Sequence, residues 1–197
     1  TYEERVRQTQ GPTATMFIGG VVVGGAVWFA LRSAPPHVVR TEITTSGTAA
    51  LFRESDRNIA ITPDGSRIVY RGQNQLLVRA LDQLTPTALT GLGAPRGPFV
   101  SPDGQWVGFF DGLSTLKKVA ITGGPPVTVA AAFVAGPRGA TWGDGGTIIF
   151  ATAAPDTGLQ RTSAAGGAPT VLTKPNREAG ERDHQWREFL PGGHVAG

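Results

Sequence analysis

Hydrophobic positions follow two patterns along this chain. The first is continuous: residues 14–31, ATMFIGGVVVGGAVWFAL, carry no charge and stop at Arg32. At the helical rise this run makes about 27 Å, enough to cross the hydrocarbon core of a bilayer. Trp28 and Phe29 lie near one end, where aromatic rings favour the membrane interface. A secretory leader fits less well, because Arg32 follows directly and Ser33-Ala34-Pro35-Pro36 is a poor cleavage site. The pattern predicts a transmembrane helix over 14–31, preceded by a juxtamembrane segment over 1–13. Charge leaves its orientation open, with Arg5 and Arg7 before the span and Arg32 and Arg40 after it. Gly20 and Gly24 form a GxxxG that would let two such helices approach closely as a homodimer.

The second pattern is periodic and begins at residue 57, after a linker over 32–56. ITPDGSRIVY (61–70), VSPDGQWVGFF (100–110), WGDGGTIIF (142–150) and LPGGHVAG (190–197) share one grammar. A short apolar run enters a Pro/Asp/Gly turn, then a run rich in β-branched and aromatic residues leaves it. The turns are Pro63-Asp64-Gly65, Pro102-Asp103-Gly104, Gly145-Gly146 and Pro191-Gly192-Gly193. Taking Asp64, Asp103, Gly145 and Gly192 as one phase, the spacings are 39, 42 and 47. Between turns lie two more strand-like runs per unit: QLLVRAL, TLKKVAI and GLQRTSA, then PTALT, PVTVAA and PTVLT. Four strands in about 40 residues is the period of a β-propeller blade. The expected fold is all-β: about three four-stranded blades and the start of a fourth over 57–197, behind one membrane helix.

The turns themselves invite a catalytic reading, since Ser101 and Asp103 stand together. Sibling copies argue against it, because Thr62 and Gly143 replace the serine while Gly145 and Gly192 replace the aspartate. Proline presets φ, aspartate accepts nearby backbone N–H groups and glycine takes positive φ, so the motif reads as a turn. Trp106, Phe109 and Phe110, Ile148, Ile149 and Phe150, and Val69 and Tyr70 read as core between blades.

Composition changes this picture little. The chain has no cysteine, which removes disulfides and thiolate metal sites. Net charge is only +3 and no block of five basic residues occurs, so nucleic acid is not an expected partner. The start at Thr1 and the end inside HVAG suggest an excerpt of a longer protein, too few blades to close a ring alone. Residues 37–45, HVVRTEITT, are expected to supply the outer strand closing the last blade. An isolated fragment is expected to expose blade faces and edges and to aggregate.

With LLVRALDQLTPTALTGLGAPRGPFVSPDGQWVGFFDG, LKKVAITGGPPVTV, RGATWGDGGTIIFA and GLQRTSAAGGAPTVLT in view, residues 37–197 resemble the TolB-like, WD-type propeller repeats of bacteria. They resemble more closely the propeller half of bacterial membrane-anchored serine/threonine protein kinases. WGDGGT departs from that pattern at its Pro and Asp positions, and DHQWREFLPGG lacks the turn aspartate. The resemblance implies a ligand- or protein-binding sensor, periplasmic or extracellular, held in a bacterial inner membrane by one span. It also implies a kinase domain upstream. The chain holds no glycine-rich ATP loop, His-Arg-Asp or Asp-Phe-Gly motif, so ATP and Mg2+ would belong to that domain and no cofactor is expected here. Two other readings are a TolB-type envelope scaffold without enzymatic activity and the propeller of a prolyl-oligopeptidase-type hydrolase.

Candidate binding residues follow from the repeat. Seven positions before each turn phase stand Arg57, Arg96, Arg138 and Gln185. Three guanidinium groups in one phase, at the mouth opposite the turns, could bind an anionic ligand or acidic peptide. The alternative is that each ties neighbouring blades together. His184, close to Trp186 in DHQW, is a lone histidine without a metal-ligand partner, and His37 and His194 offer no better site. Ser114-Thr-Leu-Lys117 matches Ser-x-x-Lys but opens a strand, where that motif needs a helix. Gly91-Leu-Gly93-Ala-Pro-Arg-Gly97 only approximates a dinucleotide loop, with Pro95 intruding.

Overall fold

Within the described residues, the apolar runs bounded by turn residues form strands. The chain divides into two units, Thr1–Arg40 and Thr41–Gly197. The structure, a computed structural model, describes residues 47, 49–53, 57–131 and 136–181, all in the second unit. The span over 14–31, the strand expected over 37–45 and the fourth turn lie outside the described residues. Among the described residues no helix is long and apolar enough to cross a membrane.

The first sheet comprises β1 (Ile59–Ile61), β2 (Arg67–Arg71), β3 (Leu76–Ala80) and β4 (Thr87–Leu89). The second comprises β5 (Pro95–Val100), β6 (Trp106–Asp111), β7 (Thr115–Ala120) and β8 (Val127–Ala131). The third comprises β9 (Pro137–Gly143), β10 (Thr147–Thr152), β11 (Leu159–Ser163) and β12 (Thr170–Val171). Every sheet is an antiparallel meander in chain order. The repeat seen in the sequence is therefore one sheet per period.

Strand composition follows from burial on two faces. Val107 to Phe110 are all buried, because alternate side chains of β6 meet different neighbours. Val107 and Phe109 join Val69, Leu76, Val78 and Leu89 of the first sheet. Phe110 and Leu116 join Ile148 and Phe150 of the third, with the Phe110 and Phe150 rings edge to face at 6.4 Å. Fully burying one such side chain contributes about 1.5–3 kcal/mol, so these two seams hold the sheets side by side. The far face of the first sheet carries Ile68, Tyr70 and Leu77, against which Ala49 and Leu51 pack. The Tyr70 hydroxyl donates to Ala49 O at 3.1 Å, and Phe52 N donates to Arg71 O at 2.9 Å. Part of the expected linker thus packs against the first sheet.

Trp106 departs from the expected core set. It is half-buried at the start of β6, with Lys118 Nζ 4.7 Å above its ring. At the strand's end it borders an open groove rather than a closed seam.

Candidate functional site

The first strands of the three sheets, β1, β5 and β9, border a cavity of about 490 Å³. Its walls are mostly apolar: Ile59, Ile61, Phe99, Val100 and Trp142, with Arg57 among them. Ile59 and Ile61 keep 40% and 57% of their surface exposed. Phe99 and Trp142 lie with ring centroids 6.1 Å apart, tilted by 58°. Gly108 makes this placement possible, because Phe99 crosses β6 where any Cβ at Gly108 would overlap its ring.

Of the four residues expected at the mouth, Arg57 alone lines this cavity, and Gln185 lies outside the described residues. Arg96 and Arg138 occupy equivalent places at the starts of β5 and β9, far along the strand from the turns. Each precedes a glycine with positive φ, Gly97 at 57° and Gly139 at 102°. There the first strand carries one extra residue relative to its partner, between Arg96 and Phe99 in β5 and between Pro137 and Ala140 in β9. These are β-bulges, and at both the glycine supplies the positive φ that the extra residue takes here. All three arginines are half-buried and already engaged by neighbouring groups. The Arg-Gly dipeptide was the available sign of the bulge.

At the other end of the sheets the turns consume their own polar groups. Ser101 Oγ accepts from Trp106 N at 2.9 Å and donates to Asp103 Oδ1 at 2.5 Å. Asp103 Oδ1 also accepts from Gln105 N at 2.9 Å. In the first sheet Thr62 Oγ1 accepts from Arg67 N at 2.9 Å, while Asp64 accepts from Ser66 N at 3.0 Å and Ser66 Oγ at 2.7 Å. The hydroxyl of Thr62 and the two donors of Ser66 hold the Asp64 carboxyl down to about 2. The Ser101 hydroxyl and then the Gln105 amide lower that of Asp103. Ser101 is 2% exposed and committed at both lone pair and proton, so it is a turn-former rather than a nucleophile.

The third turn differs. Gly143 pairs with Thr147 across only Asp144–Gly146, a single 3-10 turn, one residue shorter than Pro102–Gln105. Gly145 and Gly146, with φ of 70° and 73°, take the place of the proline-aspartate design.

The weaker motifs resolve into local structure. Lys117 pairs with Asp111 at 2.7 Å within the second sheet, so Ser114-x-x-Lys117 sits on a turn and strand. The Gly91–Gly97 loop turns its Ala94 N toward Asp111 Oδ1 at 2.9 Å, satisfying a carboxylate of its own chain. Lys117 and then that amide lower the Asp111 pKa. Among the described residues no group of three or more His, Asp or Glu could hold a metal ion, and all three histidines lie outside those residues.

No protein-family model matches the chain, and no curated protein matches it in sequence. Solved structures do. The chain is similar to a TolB-type protein from Agrobacterium tumefaciens, at 22% identity and TM-score 0.51 over 61% of this chain and 50% of that one. It is similar to the hydrazine synthase of Kuenenia stuttgartiensis, at 17% identity and TM-score 0.53 over 68% and 39%. It is similar to streptogramin B lyase, at 17% identity and TM-score 0.54 over 74% and 49%. The chain spans half or less of each of these. Their likeness, together with three repeated four-stranded meanders, establishes an all-β, propeller-type fold for the described residues. None of the three is a kinase.

Proposed function

We propose that this propeller is a protein-binding module of the TolB-like kind, which takes an apolar-faced segment of its partner at the cavity between β1, β5 and β9. The observation that carries this reading is Ile59 and Ile61, left 40% and 57% exposed beside a cavity that Phe99 and Trp142 also line. Covering the exposed part of each isoleucine with an apolar side chain of a partner is favourable, worth up to about 1.5–3 kcal/mol per side chain when burial is complete. The resemblance of 37–197 to envelope propellers supports placing the module outside a bacterial inner membrane, tethered by the span over 14–31. Attachment to a kinase rests on that resemblance alone, so the function proposed is interaction, with anionic ligands at Arg57 secondary to the apolar contact.

The test is a photo-crosslinking residue placed at Ile61 or, as control, at the 92% exposed Leu84, in cells carrying the full-length protein. A discrete protein adduct from position 61, lost in an Ile59→Ser background, is expected. Adducts no different from those at position 84 would overturn the reading.

A further inference from the structure

A second space opens at the turn end, away from the strands' Arg-Gly bulges. It is a groove of about 280 Å³ lined by Trp106 and Lys118 of the second sheet, Trp142 and Asp144 of the third, and Asp103 of the turn between β5 and β6. Trp142 lines both this groove and the cavity described above.

Three features separate the groove from ordinary turn surface. First, the carboxylate of Asp103 is only half used. Its Oδ1 accepts from Ser101 and Gln105, and among the described residues nothing donates to Oδ2. In the first sheet the matching Asp64 uses both oxygens, because Ser66 offers a hydroxyl where the second sheet has Gln105. The Gln105 amide reaches instead to Asp103 O at 3.3 Å. Second, Lys118 lies over the Trp106 ring without any carboxylate partner among the described residues, although Asp103 and Asp144 share its groove. Third, two half-buried indoles present apolar walls beside these separated donors and acceptors.

That lining discriminates among ligands. An anion would meet two carboxylates and a cation would meet Lys118, so a singly charged group gains from one wall and loses at another. A sugar hydroxyl both donates and accepts, which matches an ammonium on one side and carboxylates on the other. The C–H faces of a pyranose suit the negative face of an indole, and the volume is just below the range of about 300–1,000 Å³ typical of drug-sized ligands, enough for one ring. We infer that the groove between the second and third sheets is a saccharide subsite, in which Trp106 and Trp142 contact the ring, Lys118 donates, and Asp103 and Asp144 accept.

The four tryptophans supply the readout. The full chain is held in a detergent without a sugar headgroup, and its indole N–H resonances are assigned by single Trp→Phe variants. Methyl β-glucoside and N-acetylglucosamine are titrated separately, with acetyl-arginine amide as the cationic probe. Shifts confined to Trp106 and Trp142, with Kd on the order of 1 mM and little salt dependence, are expected for at least one sugar. Lys118→Gln and Asp144→Asn, whose side chains make no hydrogen bond to the described residues, should each weaken that binding about three- to tenfold, the worth of one hydrogen bond. No movement of either indole at about 50 mM sugar, well above that Kd, would overturn the proposal. So would a salt-sensitive response to the arginine probe with none to the sugars.

Discussion

At the scale of single residues, the turn aspartates link stability to pH. Both Asp64 and Asp103 have carboxyls lowered by hydrogen bonds that exist only in the folded chain, Asp64 from 3.8 to about 2. A depressed folded-state pKa stabilises the fold above the unfolded value, and that contribution disappears as pH falls through the folded one. The melting temperature should therefore hold steady at neutral pH and decline between roughly pH 4 and 2. In the Asp64→Asn, Asp103→Asn double variant the decline should be shallower, as measured by thermal melts across that range. An unchanged acid limb would mean the turns contribute nothing to it. The residue types of these turns were legible before the structure, since Pro-Asp-Gly has one economical backbone solution. The place of the third turn at Gly145 and Gly146 was legible too, but its length was not, because Gly-Asp-Gly-Gly also fits a shorter loop and glycine does not announce how many residues a turn will use.

At the scale of elements, β6 shows what a lone glycine inside a strand is for. Gly108 lies under the Phe99 ring, and this lets Phe99 reach Trp142 and shape the cavity wall. Gly108→Ala should destabilise the protein by about 1–3 kcal/mol through overpacking, as read from chemical denaturation. Adding Phe99→Leu should recover part of that loss. If the double variant is no better than the sum of the two singles, the crossing of Phe99 over Gly108 is not the reason for the glycine. Strand positions themselves came through the sequence well: QLLVRAL, TLKKVAI and GLQRTSA contain β3, β7 and β11. The bulges did not, because alternation of apolar residues is blind to one extra residue whose side chain remains polar. Alternation likewise placed Trp106 in the core, whereas at the start of β6 the sheets leave an open groove beside its ring.

At the scale of the whole molecule, each seam is shared by two consecutive sheets, so energetic coupling should be between neighbours. Phe110 and Phe150 meet in the seam between the second and third sheets, whereas Phe109 belongs to the seam between the first and second. A double-mutant cycle of Phe110→Leu with Phe150→Leu should show a coupling energy of about 0.5–1.5 kcal/mol, as expected for an aromatic pair. The Phe109→Leu, Phe150→Leu cycle should be additive within about 0.5 kcal/mol. Equal coupling in both cycles would contradict the seam-by-seam arrangement. That arrangement follows from the period of the sequence. Which residues face the cavity does not, because Ile59 and Ile61 look like any other strand residues until the neighbouring sheets are placed.

The turn at Ser101 also bears on the order in which the chain surrenders its freedom. Its bonds from Ser101 to Trp106 close a loop of five residues, while the Phe110–Phe150 contact joins positions forty apart. Loop-closure entropy grows with the logarithm of length, so the aromatic contact demands about 2 kcal/mol more before it returns anything. Hairpin register is thus settled by the chain's nearest neighbours in sequence, and the seams inherit strands whose alignment is already decided.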